Sequence, residues 1–240
     1  MGRKRNEKHH LPPFPHSGIL LVDKPKTWTS HDVVNFVRRR FNVKKVGHCG
    51  TLDPAATGLL VLVLGKATKS SQTLSRSDKA YAGTMLFGIE TDSQDMDGNV
   101  VAEKDASFLT SEMVEGLFAK FVGEIEQVPP MVSAVKKDGK KLYELARKGE
   151  TVEREPRKIT VHKLVATKLH LPKVDFEVEC SKGAYIRTLA YDIGNALGCG
   201  GVLFDLARTA SGEFKLQDAH DVETMKSWTQ DDLLRALVAF

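Results

Sequence analysis

The sequence predicts an α/β protein of the α+β kind: a mixed, largely antiparallel sheet flanked by helices and loops. Three observations carry this. Short apolar runs bounded by Gly and Pro, such as Leu59 to Leu64, read as buried strands. Val161 to Leu171 and Val174 to Cys180, separated by a turn, read as an antiparallel pair. Strands and helices also mix without the regular alternation of a doubly wound sheet.

Taken in order, residues 1 to 16 read as a flexible basic tail (Arg3, Lys4, Arg5, Lys8) ending in Pro12, Pro13 and Pro15. Ile19 to Asp23 is a buried strand stopped by Lys24-Pro25. Ser30 caps a helix whose Val33, Val34, Val37 and Phe41 recur at helical spacing. Arg38 to Arg40 occupy its last turn, where cations suit the macrodipole. Leu59 to Leu64 is the central strand. Ala80 to Ile89 is another, with Tyr81, Gly83, Met85 and Phe87 on one face. An acidic loop spans Thr91 to Gly98, and Ser111 to Phe121 is helical. An irregular basic segment follows, about 129 to 150, opened by Pro129-Pro130 and holding a short helix over Leu142 to Lys148. After the Ser181-Lys182-Gly183 turn, a helix from about Thr188 to Leu197 buries Leu189, Ile193 and Leu197. A last helix spans roughly Val222 to Val238.

The chain has 240 residues, 41% hydrophobic and 28% charged, enough for a substantial core. No segment approaches the 18 or so uninterrupted apolar residues of a membrane span, and the basic N-terminus has no apolar stretch behind it that would make it a secretory signal. Cys49, Cys180 and Cys199 are far apart, which argues against a disulfide framework and fits a reducing cytoplasm. The net charge is +4, but basic residues cluster at Arg38 to Arg40, Lys44-Lys45, Lys136-Lys137, Lys140-Lys141 and Arg147-Lys148. Clusters converging on one face would track phosphates.

The richest stretch is Gly47-His48-Cys49-Gly50-Thr51-Leu52-Asp53-Pro54-Ala55-Ala56-Thr57-Gly58. One carboxylate, Asp53, stands at the tip of a turn punctuated by glycines and a proline, directly before a strand too apolar to be exposed. A charge beside a buried strand is costly unless it is paired or used. Other constellations fail. Gly65-Lys66 lacks the preceding glycine and following hydroxyl of a phosphate loop, because Leu60 and Ala67 hold those places. Asp95 to Gly98 would need a carboxylate at Lys104 to be a calcium loop. His9 and His10 lie in the tail. Neither metal nor organic cofactor is expected.

The chain resembles the TruB-type pseudouridine synthases, which isomerise the T-loop uridine at tRNA position 55. The likeness runs from about Gly18 to Phe214. It rests on Gly18-Ile-Leu-Leu-Val-Asp-Lys-Pro25 with Thr29-Ser30, Gly47 to Gly58, Gly65-Lys-Ala-Thr-Lys69, Lys79-Ala-Tyr81 and Thr91-Asp-Ser-Gln-Asp95. It continues through Pro129-Pro-Met-Val-Ser-Ala-Val-Lys136, Ser181-Lys-Gly-Ala-Tyr-Ile-Arg187 and Leu206-Ala-Arg-Thr209 with Gly212 and Phe214. The resemblance implies a pseudouridine synthase fold over residues 17 to 240 with an inserted RNA-gripping segment. It implies Asp53 as nucleophile, Arg187 as its partner, and Asp95 contacting that arginine. Tyr81 would stack on the flipped uracil and serve as candidate base for the C5 proton. Tyr185 and Leu206 would wall the pocket, His48 would enter the RNA loop vacated by the flipped base, and Lys24 and Lys69 would contact the pocket or phosphates.

The partner implied is the T stem-loop of tRNA, bound by a monomer without guide RNA. Val132 stands where the family usually has an aromatic residue and Ala207 where it has an arginine. Many members also append a PUA-type RNA-binding domain, which is not expected after the final helix here. Two rivals are a non-catalytic RNA-binding protein and a guide-dependent synthase. Asp53, Tyr81 and Arg187 together argue against the first, and the missing PUA domain against the second.

Overall fold

The computed structural model describes residues 11–131, 136–137, 140–141 and 152–240. Its strands are β1 (Gly18–Lys24), β2 (Val46–His48), β3 (Thr57–Leu64), β4 (Lys79–Phe87), β5 (Ile89–Thr91), β6 (Val100–Glu103) and β7 (Gly123–Gln127). They continue with β8 (Lys136–Lys137), β9 (Lys140–Lys141), β10 (Arg157–His170), β11 (Lys173–Cys180), β12 (Gly201–Ser211), β13 (Phe214–Lys215) and β14 (His220–Asp221). Among the described residues one sheet runs β14-β1-β3-β12-β4-β11-β10-β7, with β2 added to β3 and β13 to β12. Among the strands of this described sheet, only β1–β14 and β3–β12 pair in parallel. The mixed, largely antiparallel sheet is the one the sequence predicts.

The uninterrupted apolar run of β3 has a simple cause. Leu60, Leu62 and Leu64 face a core with Val33 and Val37 of the helix Ser30–Arg40 and with Phe41 directly after it, while Leu59, Val61 and Val63 face a second core on the other side. A strand covered on both faces has no polar positions to alternate. A third, larger core joins Tyr81, Met85, Phe87, Phe176 and Val178 to the helices Ser111–Lys120 and Ile186–Leu197.

Several boundaries differ from expectation. The first helix is capped by Thr29, whose hydroxyl accepts from Asp32 N while the Asp32 carboxylate accepts from Thr29 N; Ser30 is the first helical residue. Leu197 is only half-buried. The last helix breaks into Val222–Met225 and Gln230–Ala236, because Thr229 and Asp232 form a second capping box that restarts it. Residues 11 to 16 are not a loose tail: Phe14 is buried, its N–H bonds Asn42 O, and Asn42 Nδ2 donates to Leu11 O. Arg40 donates to the carbonyls of Lys226 and Trp228, which takes it out of the set of free basic side chains; Arg38 and Arg39 are exposed. The Leu142 to Lys148 helix and Val132 lie outside the described residues.

β12 is the longest of the strands that sequence reading missed, and it is central. It sits between β3 and β4, with Arg208 opposite Gly58 on one side and Tyr81 on the other. Its polar residues and two register shifts break the alternation that would mark a strand. Gly58 is the point of closest approach. Its φ is +94°, and a Cβ there would lie 2.5 Å from Arg208 O. Gly58→Ala should therefore lower the thermal midpoint clearly, by strain equivalent to about 1–3 kcal/mol, measured by calorimetry; an unchanged midpoint would show that β3 and β12 can separate at no cost.

Candidate active site

Asp53 sits on the loop between β2 and β3, and that loop is clamped from several directions. Leu52 N donates to Ser30 Oγ (2.8 Å) and Ser30 Oγ donates to Leu52 O (3.1 Å). Thr27 N donates to Pro54 O at 2.8 Å, and Cys49 N to Val61 O at 2.9 Å. Lys24 Nζ donates to the carbonyls of Pro25 (2.9 Å), Trp28 (2.6 Å) and Pro54 (3.3 Å). Lys24 is 0% exposed, so nothing of it remains for a phosphate, and its role is corrected to holding this loop.

Burial lowers the Lys24 pKa to about 8, against the nearby charge of Asp53, which raises it. The folded value lies below the ordinary lysine value of 10.5, so the unfolded chain binds this proton more tightly. Stability arising from Lys24 therefore grows as pH rises from about 8 to 10.5. Lys24→Met leaves three carbonyls to find other donors, at about 1–3 kcal/mol for each one left buried and unpaired. The variant should be less stable at neutral pH and lack this alkaline gain, as pH-dependent denaturant titrations would reveal.

Across the loop lies Arg187, at the second position of the helix Ile186–Leu197 and 5% exposed. Its Nε lies 3.1 Å from Asp53 Oδ2, its Nη1 lies 3.1 Å from Asp95 Oδ2, and Nη1 also donates to Ser93 O at 3.1 Å. The three residues expected to form a charge network are thus in contact. Asp95 is held in turn: Ser93 Oγ donates to its Oδ1 at 2.5 Å and Asp97 N to the same oxygen at 3.2 Å. Gln94, with φ +66°, donates neither; its Oε1 accepts from Thr188 Oγ1 and its carbonyl from Leu203 N, which ties the acidic loop to the arginine's helix and to β12.

The Asp53 side chain remains 47% exposed, facing a cavity of about 280 Å³ lined by Asp53, Tyr81, Tyr185, Arg187, Leu206 and Arg208, among others. Surrounding protein raises the Asp53 pKa through desolvation, Arg187 pulls it back down, and Asp95 pushes it up. Tyr81 comes from β4, and burial raises its phenol. Tyr185 is fixed through its backbone, its N–H donating to Gln127 Oε1 and its carbonyl accepting from Gln127 Nε2. Leu206, Asp53 and Arg187 also border a second hollow, where Met96 and Phe204 are exposed apolar side chains.

Not every expected site residue converges here. His48, on β2, and Lys69, exposed on the 3₁₀ turn after β3, do not line the cavity. Burial lowers the His48 pKa, so its ring is neutral at pH 7. Arg208 was missed as a site residue. A signal existed: Arg208 lies two residues beyond Leu206, and strand periodicity returns such a pair to one face.

The comparisons agree with this architecture. Residues 38–186 match the model of the TruB family pseudouridylate synthase N-terminal domain, and residues 187–239 that of the tRNA pseudouridylate synthase B C-terminal domain. The chain is 48% identical to tRNA pseudouridine synthase B of Opitutus terrae over 92% of each chain. It is 50% identical to the Burkholderia pseudomallei protein of the same name, over 90% of this chain and 71% of the relative. Among solved structures it resembles a chain from a crystal structure of a Cbf5-Nop10-Gar1 complex, with TM-score 0.70 and 31% identity, covering 88% of this chain and 54% of that one. The chain belongs to the TruB family of pseudouridylate synthases.

Proposed function

We propose that this protein isomerises the T-loop uridine of tRNA to pseudouridine, with Asp53 as nucleophile on a flipped-out nucleotide. One observation carries the assignment of roles: the Arg187 guanidinium is wedged between Asp53 and Asp95 at the wall of a cavity that also holds Tyr81, Tyr185 and Leu206. The N1–C1′ bond breaks, the uracil rotates, and a C1′–C5 bond forms. One proton leaves C5 and one is taken up at N1, so the reaction is balanced without a redox partner. A carboxylate serves either by attacking C1′ or by assisting a transient glycal. Arg187 opposes the desolvation that favours the neutral acid and keeps the carboxylate oriented.

The base must leave its stack to reach a cavity of this size, which suits extrusion before chemistry. Tyr81 and Tyr185 offer aromatic surfaces for the uracil, and Leu206 an apolar edge. His48 and Lys69 lie outside the cavity, where they suit the RNA loop and its phosphates. The protein works as a monomer in the cytoplasm, without guide RNA. Incubating it alone with an unmodified tRNA transcript and mapping pseudouridine tests the whole reading. Pseudouridine at the T-loop site alone is expected; no product, or product only with a guide RNA, would overturn it.

Tyr81→Phe isolates the hydroxyl. Binding should hold within a few-fold, since the ring is kept, while single-turnover rate falls by about 10²- to 10⁴-fold if the phenol handles the C5 proton. A wild-type rate would leave Tyr81 with stacking alone.

A further inference from the structure

Arg208 is the largest fully buried side chain of the described residues that the mechanism above does not use. It is 1% exposed, and its guanidinium is committed on two sides: Nε donates to Leu59 O at 2.7 Å and Nη2 to Gly50 O at 3.1 Å. The first carbonyl belongs to β3 and the second to the Asp53 loop. The arginine therefore pins the loop that carries the nucleophile to the strand behind it. Its Nη1 lies so close to Gly50 that a Cβ there would stand 3.4 Å away, and Gly50 holds φ +103°.

The remaining face of the guanidinium meets Tyr81. The two residues are directly opposite each other on neighbouring antiparallel strands, so their side chains leave the sheet on the same side, and both line the Asp53 cavity. A buried arginine held by two backbone carbonyls is a costly way to brace a loop, because carbonyls compensate only part of the desolvation of a fixed charge. Such a charge is better explained by an anion that forms beside it.

We propose, resting on the function given above, that Arg208 is a positioning residue for the isomerisation: it holds the Tyr81 hydroxyl against the Asp53 loop and supplies the fixed charge that lets this phenol act as a base. The phenol passes its proton to water, the phenolate takes the proton from C5 of the uracil, and N1 takes one from water. One proton leaves the uracil and one returns. Beside Tyr81 stand Arg208 from β12, Asp53 from its loop and Cys180 from β11, with Lys79 and Arg187 farther round the cavity. Burial drives the Tyr81 phenol up; Arg208, by charge and hydrogen bonding, is the main influence bringing it down, while Cys180 and Asp53 push it up.

The test is a Tyr81 titration, read as the phenolate absorbance of each protein minus that of the same protein with Tyr81→Phe. In Arg208→Gln the Tyr81 midpoint should rise by about 1–3 pH units, and the single-turnover rate at neutral pH should fall by about 10- to 1000-fold, with the rising limb of the pH–rate profile displaced to higher pH. Arg208→Lys keeps a charge but not the fork. It should stay near the wild-type titration, while both variants lose thermal stability with the bonds to Leu59 O and Gly50 O. An unmoved Tyr81 midpoint in Arg208→Gln would overturn the proposal and leave Arg208 as a brace.

In the wild type, where no substitution at 208 can perturb folding, the Arg208 guanidinium nitrogen resonance should move with the Tyr81 midpoint; a flat resonance would overturn the pairing. Failure of the wild type to modify RNA would instead overturn the functional reading, and the titration would still decide whether Arg208 governs Tyr81.

Discussion

Asp53→Asn should lose turnover by on the order of 10⁴- to 10⁶-fold, the scale on which enzymes fall when a covalent nucleophile is removed, and should be no less stable than the wild type. The second half follows from the sign of its shift. The folded Asp53 acid lies above the ordinary aspartate value of 3.8, so the folded state holds the proton more tightly than the unfolded one. Ionisation at neutral pH therefore costs stability, and a neutral amide avoids that cost. Arg187 Nε keeps a neutral oxygen to bond. The thermal midpoint of Asp53→Asn should equal or exceed the wild type at pH 7, and the difference should close as pH falls through and below 3.8, where the wild-type acid becomes protonated in both states. Such a gain would mark Asp53 as a residue kept for chemistry at the expense of the fold. Measurable isomerisation by a pure Asp53→Asn preparation would remove it from the nucleophile's role.

Arg187→Met should be damaging in both respects. It leaves Asp53 and the buried Asp95 without the cation between them, and breaking the buried Arg187–Asp95 pair in this way costs about 3–5 kcal/mol. The Asp53 acid rises further once Arg187 no longer opposes burial, so the acidic limb of the pH–rate profile moves to higher pH. Adding Asp95→Asn should recover part of the stability and none of the turnover, a coupling that a double-mutant cycle measures. Arg187→Lys keeps the charge but cannot span Asp53, Asp95 and Ser93 O with one planar fork, and should lose about 10²- to 10³-fold in rate. A lysine variant with near wild-type rate would show that charge alone is enough.

Legibility in the sequence tracked how local the signal was. The Asp53 turn, the β3 run and the helix face of Val33, Val34 and Val37 are written in neighbouring residues, and the structure has them in place. The network of Asp53, Arg187 and Asp95 joins segments far apart in the chain; only the family resemblance brought them together beforehand, and the contacts of 3.1 Å are those it implied. β12 was illegible because its register shifts and its buried arginine contradict the pattern by which a strand is recognised. Lys24 misled for the related reason that a lysine beside a proline reads as solvated, whereas three carbonyls converge on its ammonium. Polar groups that serve the fold from inside leave no periodic trace.

The clamped loop has a consequence for substrate choice. Ser30, Lys24, Thr27 and Arg208 hold the backbone around Asp53 from four sides. A loop so held has little freedom to close upon what it receives, so the deformation that brings nucleotide and carboxylate together falls on the RNA. Unstacking a base costs a few kcal/mol, and less where the base is already loosely held. Discrimination among RNAs then becomes a matter of how readily each hairpin opens, and the protein acts as a rigid gauge against which the softness of the RNA is measured.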